Sequence, residues 1–376
     1  MRKIIIWYNL RENYSRSQGV LTHIKGLIQN QKYFEKQKFI LLSPLDFIFD
    51  IKFKKKLIEK NQKISDEKIE LVLKEAFKYF ISILNEYKKF DGCILIGFHS
   101  IGFKPFFKTK YYNIIKTKKC KILIYLDDLH STKSLHKERK IFNEKYPDYK
   151  CFKYHQNKNY YFDKTDAIIS PGFVYFQNMN IKYVSKTYLL KFVFNELFYE
   201  QFNINNFNNR KNLILLSGDI HPFSDTRTKL YKTWNNDSNN LHNIIKFIEN
   251  KKGQNKYTGV NYFRKICKYK GAFVGFYDKP IDYVVAKIIE IMACGSILFV
   301  DEKPELEKYG IKKFVHYVPI LFDNKKNIID DDKYYLEYLT TEKGINIKEN
   351  ALQLINNNFL TKHYCQNLLD IIKTLD

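Results

Sequence analysis

The sequence is poor in several things, and each shortage closes a class of explanation. Its six cysteines, at 93, 120, 151, 267, 294 and 365, never fall into a Cys-x-x-Cys spacing, and no histidine pair stands at zinc-finger distance. Neither a structural zinc site nor a secreted disulfide framework is signalled. No apolar run reaches the ~18 residues of a membrane span, so no transmembrane segment is expected. Acidic residues are also in short supply: 40 Asp and Glu stand against 64 Lys and Arg, a net charge of +24. Glycine (14) and proline (8) are scarce, while Lys, Asn, Ile, Tyr and Phe abound. That is the bias of an A/T-rich genome, and scattered lysines make a solvated surface where only clustered ones make a polyanion footprint. The densest runs, Lys52 to Lys56 and Lys116 to Lys121, are short.

What is present points to a folded enzyme-sized chain. At ~150 residues per domain, 376 residues suggest two domains. Hydrophobic residues at 45%, with 29 Tyr and 31 Phe, supply enough apolar surface for two cores and exclude wholesale disorder. The start, Met1-Arg2-Lys3 before Ile4-Ile5-Ile6-Trp7-Tyr8, is cut off at once by Asn9, Arg11 and Glu12. It reads as a buried strand rather than a signal peptide. The expected location is the cytoplasm, or a host's cytoplasm if the A/T-rich source is a virus.

Short β-branched and aromatic runs alternate with longer stretches of helical period, the pattern of an α/β fold with parallel strands. Strands are expected at Lys3 to Tyr8, Phe39 to Leu42, Cys93 to Phe98, Lys121 to Leu126 and Ala167 to Ser170. Helices are expected at Val20 to Gln29 and Asp66 to Lys88. An Asn-rich stretch without period, residues 195–210, divides residues 1–194 from 211–376 as a linker. After it come strands at Asn212 to Gly218, Gly271 to Gly275, Ser296 to Val300 and Val315 to Val318. Helices at Lys348 to Asn356 and Lys362 to Leu375 close the chain, and the last of them is a candidate to pack back on the first half. Two such halves imply two Rossmann-like domains facing across a cleft, with ligands outside the carboxyl ends of the strands.

The most informative stretch runs from Asp282 through Lys287 and Glu290 to Met292-Ala293-Cys294-Gly295 and Val300. A helix from about Tyr283 to Ala293 is expected to end at Gly295, followed directly by a buried strand. By itself, Lys287 three residues before Glu290 is an ordinary surface pair. The acid-x7-acid spacing and the helix end, however, resemble the donor-site signature of nucleotide-sugar glycosyltransferases of the GT-B fold, which reads Glu-x7-Glu before an ending such as Ala-Met-Ala-x-Gly. Here the first acid is Asp282. Leu216-Ser217-Gly218 with Thr226-Arg227-Thr228-Lys229, and Tyr257 to Tyr262 with Tyr269 to Phe273, are similar to the flanking parts of that donor domain. So are Leu306 to Gly310 and Val315 to Val318.

The resemblance implies a glycosyltransferase, acting in glycan biosynthesis, that moves a hexosyl or related group from a nucleotide-diphosphate sugar to the hydroxyl of a glycan or glycoprotein, with retention favoured. It implies no metal and no cofactor. A departing diphosphate needs cations and aligned N–H groups, and Arg227 and Lys287 are the candidates, with Gly218 leaving room for the phosphates. The resemblance assigns Glu290 to the ribose hydroxyls and places Asp282 near the sugar. On the acceptor side, Asp127, Asp128 and His130 after an apolar strand are catalytic candidates, and His99 and Arg16 acceptor-binding ones. Asp127 or Asp128 could equally cap the next helix. Two alternatives stand beside this reading: a glycosyltransferase acting on nucleic acid, motivated by the charge, and a non-catalytic binding protein of the same fold.

Overall fold

Eleven strands among the described residues form two separate parallel sheets. The computed structural model describes residues 3–7, 40–42, 92–97, 112, 113, 116, 121–125, 162–172, 181–201, 204, 206–218, 225–248, 260–276 and 284–375. The helices expected at Val20 to Gln29 and Asp66 to Lys88 lie outside these, as do Arg16, His99, Asp127, Asp128, His130 and Asp282.

The first sheet contains β1 (Lys3–Trp7), β2 (Ile40–Leu42), β3 (Gly92–Gly97), β4 (Lys121–Tyr125), β5 (Ala167–Ser170) and β6 (Thr187–Leu189), in the order β2-β1-β3-β4-β5-β6. The second contains β7 (Lys211–Ser217), β8 (Ile245–Ile248), β9 (Tyr269–Val274), β10 (Ile297–Val300) and β11 (Val318–Pro319), in the order β11-β10-β9-β7-β8. Every pairing is parallel. Parallel strands are covered on both faces, so they are apolar throughout rather than alternating; Ile297 to Val300 are all fully buried. In the second sheet the strand order reverses at β7, with β8 on one side and β9 on the other. A crevice therefore opens between the carboxyl ends of β7 and β9.

Around this sheet lie α1 (Asp225–Trp234), α2 (Val260–Ile266), α3 (Ala286–Ala293), α4 (Pro304–Lys308), α5 (Asp332–Thr340) and α6 (Glu342–Asn358). One core packs α3 through Ile288, Ile289 and Met292 against Ala272, Val274, Leu298 and Val300. The opposite face gathers Phe273, Phe299, Tyr335 and Leu339. The last helix, α7 (Thr361–Lys373), joins the other sheet: Tyr364, Cys365, Leu368 and Ile372 bury against Leu123, Tyr125, Ala167 and Ile169. The chain thus crosses between the two sheets twice, near 195 and near 360. The crossings are tied to each other: Phe194 N donates to Phe359 O at 2.6 Å, and the Glu196 carboxylate accepts from Thr361 N (3.1 Å) and Oγ1 (2.7 Å).

Some boundaries differ from the sequence expectation for physical reasons. Helix α3 starts at Ala286, not Tyr283, because Val285 holds an extended conformation (φ −107°, ψ 149°), as β-branched residues readily do. Helix α6 begins before the expected Lys348 and contains Gly344. A side chain there would sit 1.7 Å from Tyr338 O, so this glycine serves helix contact rather than helix ending. The strand expected at Val315 to Val318 reduces to Val318–Pro319, since Phe314 N bonds Tyr317 O and His316 N bonds Lys312 O in a closed turn. No helix among the described residues is long and apolar enough to cross a membrane.

Candidate nucleotide-sugar site

Strand β7 ends at Ser217, and Gly218 follows with φ +118°, a conformation that L side chains rarely adopt. Two cations from different helices converge on this glycine. A Cβ placed on Gly218 would lie 3.0 Å from Lys287 Nζ and 3.1 Å from Arg227 Nη1. Lys287 comes from the first turn of α3 and donates to Ser217 O at 3.1 Å. Arg227 comes from the first turn of α1. Both lie at the carboxyl end of β7, beside the point where the strand order reverses.

Tyr262 of α2 connects the group. Its hydroxyl and Ser217 Oγ are 3.1 Å apart, and Lys287 Nζ sits over its ring at 5.6 Å. Burial pushes the phenol pKa up, and the nearby Glu290 charge adds to that. Glu290 itself, one turn beyond Lys287 on α3, is only 5% exposed, and its Oε1 has no hydrogen-bond partner. Burial raises its pKa to about 7, opposed by the Lys287 cation. A buried carboxylate oxygen without a donor is costly and awaits one.

Asp301, just after β10, supplies the frame. Its Oδ2 accepts the Thr226 hydroxyl at 2.7 Å and its Oδ1 accepts Phe276 N at 3.3 Å, which ties α1, β9 and β10 together. Burial raises its pKa, offset by the Thr226 bond. Gly275 lets α1 come close, because a Cβ there would lie 2.7 Å from Arg227 N. From below, the buried Arg210 guanidinium donates to Cys294 O (3.0 Å), Gly295 O and Ser296 Oγ (2.9 Å each), and Ile204 O (2.9 Å). A cation at the carboxyl end of α3 satisfies carbonyls that the helix leaves unbonded.

Of the expected site residues, Gly218, Arg227, Lys287 and Glu290 fall in this one neighbourhood. Asp282, Asp127, Asp128, His130, His99 and Arg16 lie outside the described residues. Sequence reasoning missed Tyr262, Gly275 and Asp301 as parts of the site, and Arg210 as its support. Asp301 follows a buried strand at its carboxyl end, and that position was the available signal. Away from this neighbourhood, Asp330 accepts from Asn240 N and Leu241 N (2.9 Å each), and Asp331 caps α5 through Tyr334 N. His316 Nδ1 accepts from Lys312 N within its own turn.

The whole chain superimposes on solved structures of low sequence identity. A glycosyltransferase from Rickettsia africae ESF-5 matches over 100% of this chain and 98% of that one, at 14% identity and a TM-score of 0.55. Sucrose-phosphate synthase from Thermosynechococcus elongatus matches over 100% and 99%, at 11% identity and 0.53. An alpha-glucosyltransferase solved with UDP and a 13-mer DNA containing an A:G mismatch matches over 99% of each chain, at 9% identity and 0.54. No family model and no curated protein matches the sequence. These likenesses show the fold: the chain has the GT-B architecture of two Rossmann-like domains, as its acid-x7-acid segment suggested.

Proposed function

We propose that the protein transfers a sugar, a hexosyl or related group, from a nucleoside-diphosphate sugar to an acceptor hydroxyl. The observation that carries this reading is the meeting of Arg227 and Lys287 over Gly218, one helical turn from the unpartnered Glu290 oxygen. As the bond from the anomeric carbon to the distal phosphate breaks, its electron pair leaves with the diphosphate. Negative charge grows there, and two preplaced cations with the first-turn N–H groups of α1 stabilise it. On this reading no metal or cofactor is required. Gly218 gives the phosphates room that any side chain would fill.

Glu290 accepts hydroxyl protons from the ribose of the donor. Such a donor would satisfy Oε1 and draw the carboxyl back toward its charged form. Asp282 contacts the hydroxyls of the transferred sugar. Acceptor-side Asp127, Asp128 and His130 take or orient the proton released by the attacking hydroxyl, while His99 and Arg16 bind the acceptor. The resemblance favours retention of the anomeric configuration and a glycan or glycoprotein acceptor. Incubation with a panel of nucleotide sugars and glycan acceptors, following release of nucleoside diphosphate with and without a chelator, tests this: chelator-insensitive, acceptor-dependent release is expected. Release abolished by the chelator would refute the metal-free mechanism.

A second reading, transfer to nucleic acid, draws on the +24 charge and on the DNA bound by the structurally similar alpha-glucosyltransferase. It requires that transfer to an oligonucleotide fall steeply with salt. A binding protein without catalysis would take up a donor and release no nucleoside diphosphate in either assay.

A further inference from the structure

The backbone of Cys294 to Ser296, where α3 runs into β10, lies braced against the turn between α2 and β9. Ser296 Oγ reaches Ile266 O (3.4 Å) and Tyr269 O (3.1 Å), bracketing Cys267 on both sides. Across this seam the Cys267 thiol approaches Cys294 O at 3.6 Å, so the two cysteines face each other between neighbouring segments. Neither cysteine ligates anything in the site above, and Cys294 sits one turn after Glu290, whose carbonyl accepts Cys294 N at 3.0 Å. We propose that Cys267 and Cys294 are a redox-modification site, a dithiol that reacts with a small-molecule disulfide such as oxidised glutathione and closes into an internal bond.

Access and chemistry divide the two roles. Cys267 is partly exposed and Cys294 is buried. The Cys294 thiol and the Arg210 guanidinium beside it favour the Cys267 thiolate, while burial pushes the Cys294 pKa well up. The more accessible thiolate is therefore the attacking group. It displaces one glutathione thiolate and forms a mixed disulfide on Cys267. Cys294 gives up its proton and attacks the Cys267 sulfur, expelling the second glutathione as thiol; two cysteine thiols are oxidised and one disulfide is reduced to two thiols. The third cysteine whose surroundings are described, Cys365, is buried under α7 with its pKa pushed up to about 12, and serves as an internal control that should not react.

The experiment is exposure of the full chain to oxidised glutathione, followed by non-reducing digestion and mass spectrometry. A peptide pair joined through Cys267 and Cys294, two hydrogens lighter than the reduced pair, is expected. In Cys294→Ser, glutathione should remain on Cys267, and in Cys267→Ser, Cys294 should stay reduced. Phenylarsine oxide, which bridges close dithiols, should bind the native chain and protect both positions, a readout that needs no variant to fold. A wild-type chain that stops at glutathionylated Cys267, or leaves Cys267 and Cys294 reduced and unprotected, would overturn the proposal. The outcome does not depend on sugar transfer.

Discussion

Glu290 lies one turn beyond Lys287 on α3, buried, with Oε1 unpartnered, while the Lys287 cation works against the burial that raises its pKa to about 7. The pair differs from a surface ion pair in that its acid is held out of water with one lone oxygen in need of a donor. In a free protein that arrangement costs stability, and a ligand that brings a donor repays it.

The pH dependence of stability follows. A carboxyl whose folded pKa is raised contributes stability below its unfolded pKa, near 4.5, and loses it as pH rises through about 7. Over that window the wild type should lose on the order of 3 kcal/mol relative to Glu290→Gln, which does not titrate. Thermal unfolding of both proteins at pH 5 and pH 8 measures it. An equal pH response would mean that Glu290 is solvated.

Gly218→Ala tests the close approach at the end of β7. The new methyl meets Lys287 Nζ and Arg227 Nη1 and must adopt φ +118°, at a cost of about 1–3 kcal/mol. Since both neighbours are ends of flexible side chains, the fold should survive with a lower Tm while affinity for nucleoside diphosphates falls at least tenfold. Unchanged affinity in a destabilised protein would separate Gly218 from the binding site.

Thr226→Val leaves Asp301 Oδ2 without its 2.7 Å donor in a buried position, a loss of about 1–3 kcal/mol. Asp301→Asn keeps a hydrogen-bonding group and should lose less than Thr226→Val. Denaturant unfolding ranks the two variants; the reverse ranking would mean that the Asp301 charge, not the Thr226 bond, holds α1.

Arg210→Ala frees the carbonyls of Cys294, Gly295 and Ile204 at once. With several buried acceptors unsatisfied, a loss of about 3 kcal/mol or more is expected. Hydrogen exchange in the last turn of α3 should rise by a larger factor than in α6. Uniform acceleration would make Arg210 a global rather than a local brace.

Much of this architecture was legible because parallel strands must be continuously apolar: β4, β5 and β10 announce themselves as Lys-Ile-Leu-Ile-Tyr, Ala-Ile-Ile-Ser and Ile-Leu-Phe-Val. The short strands β6 and β8 did not, since Thr187-Tyr-Leu is only three residues long and opens on a polar, buried Thr187, and Ile245-Lys-Phe-Ile is broken by the exposed Lys246. Gly218, Arg227, Lys287 and Glu290, singled out by the resemblance to GT-B glycosyltransferases, lie together near the carboxyl end of β7. Thr226 and Asp301 are 75 residues apart, Ser217 and Tyr262 are 45 apart, and Arg210 and Gly295 are 85 apart. Such pairs exist only once the sheet order is set, and no local pattern records them.

The central claim is that the carboxyl end of β7 holds a nucleoside-diphosphate sugar between Arg227, Lys287 and Glu290. Calorimetric titration of the wild type, Lys287→Ala and Glu290→Ala with a panel of nucleotide sugars tests it most directly. The account predicts saturable binding of at least one donor by the wild type, weakened tenfold or more in each variant. No binding by the wild type, or equal affinity in Glu290→Ala, would contradict it.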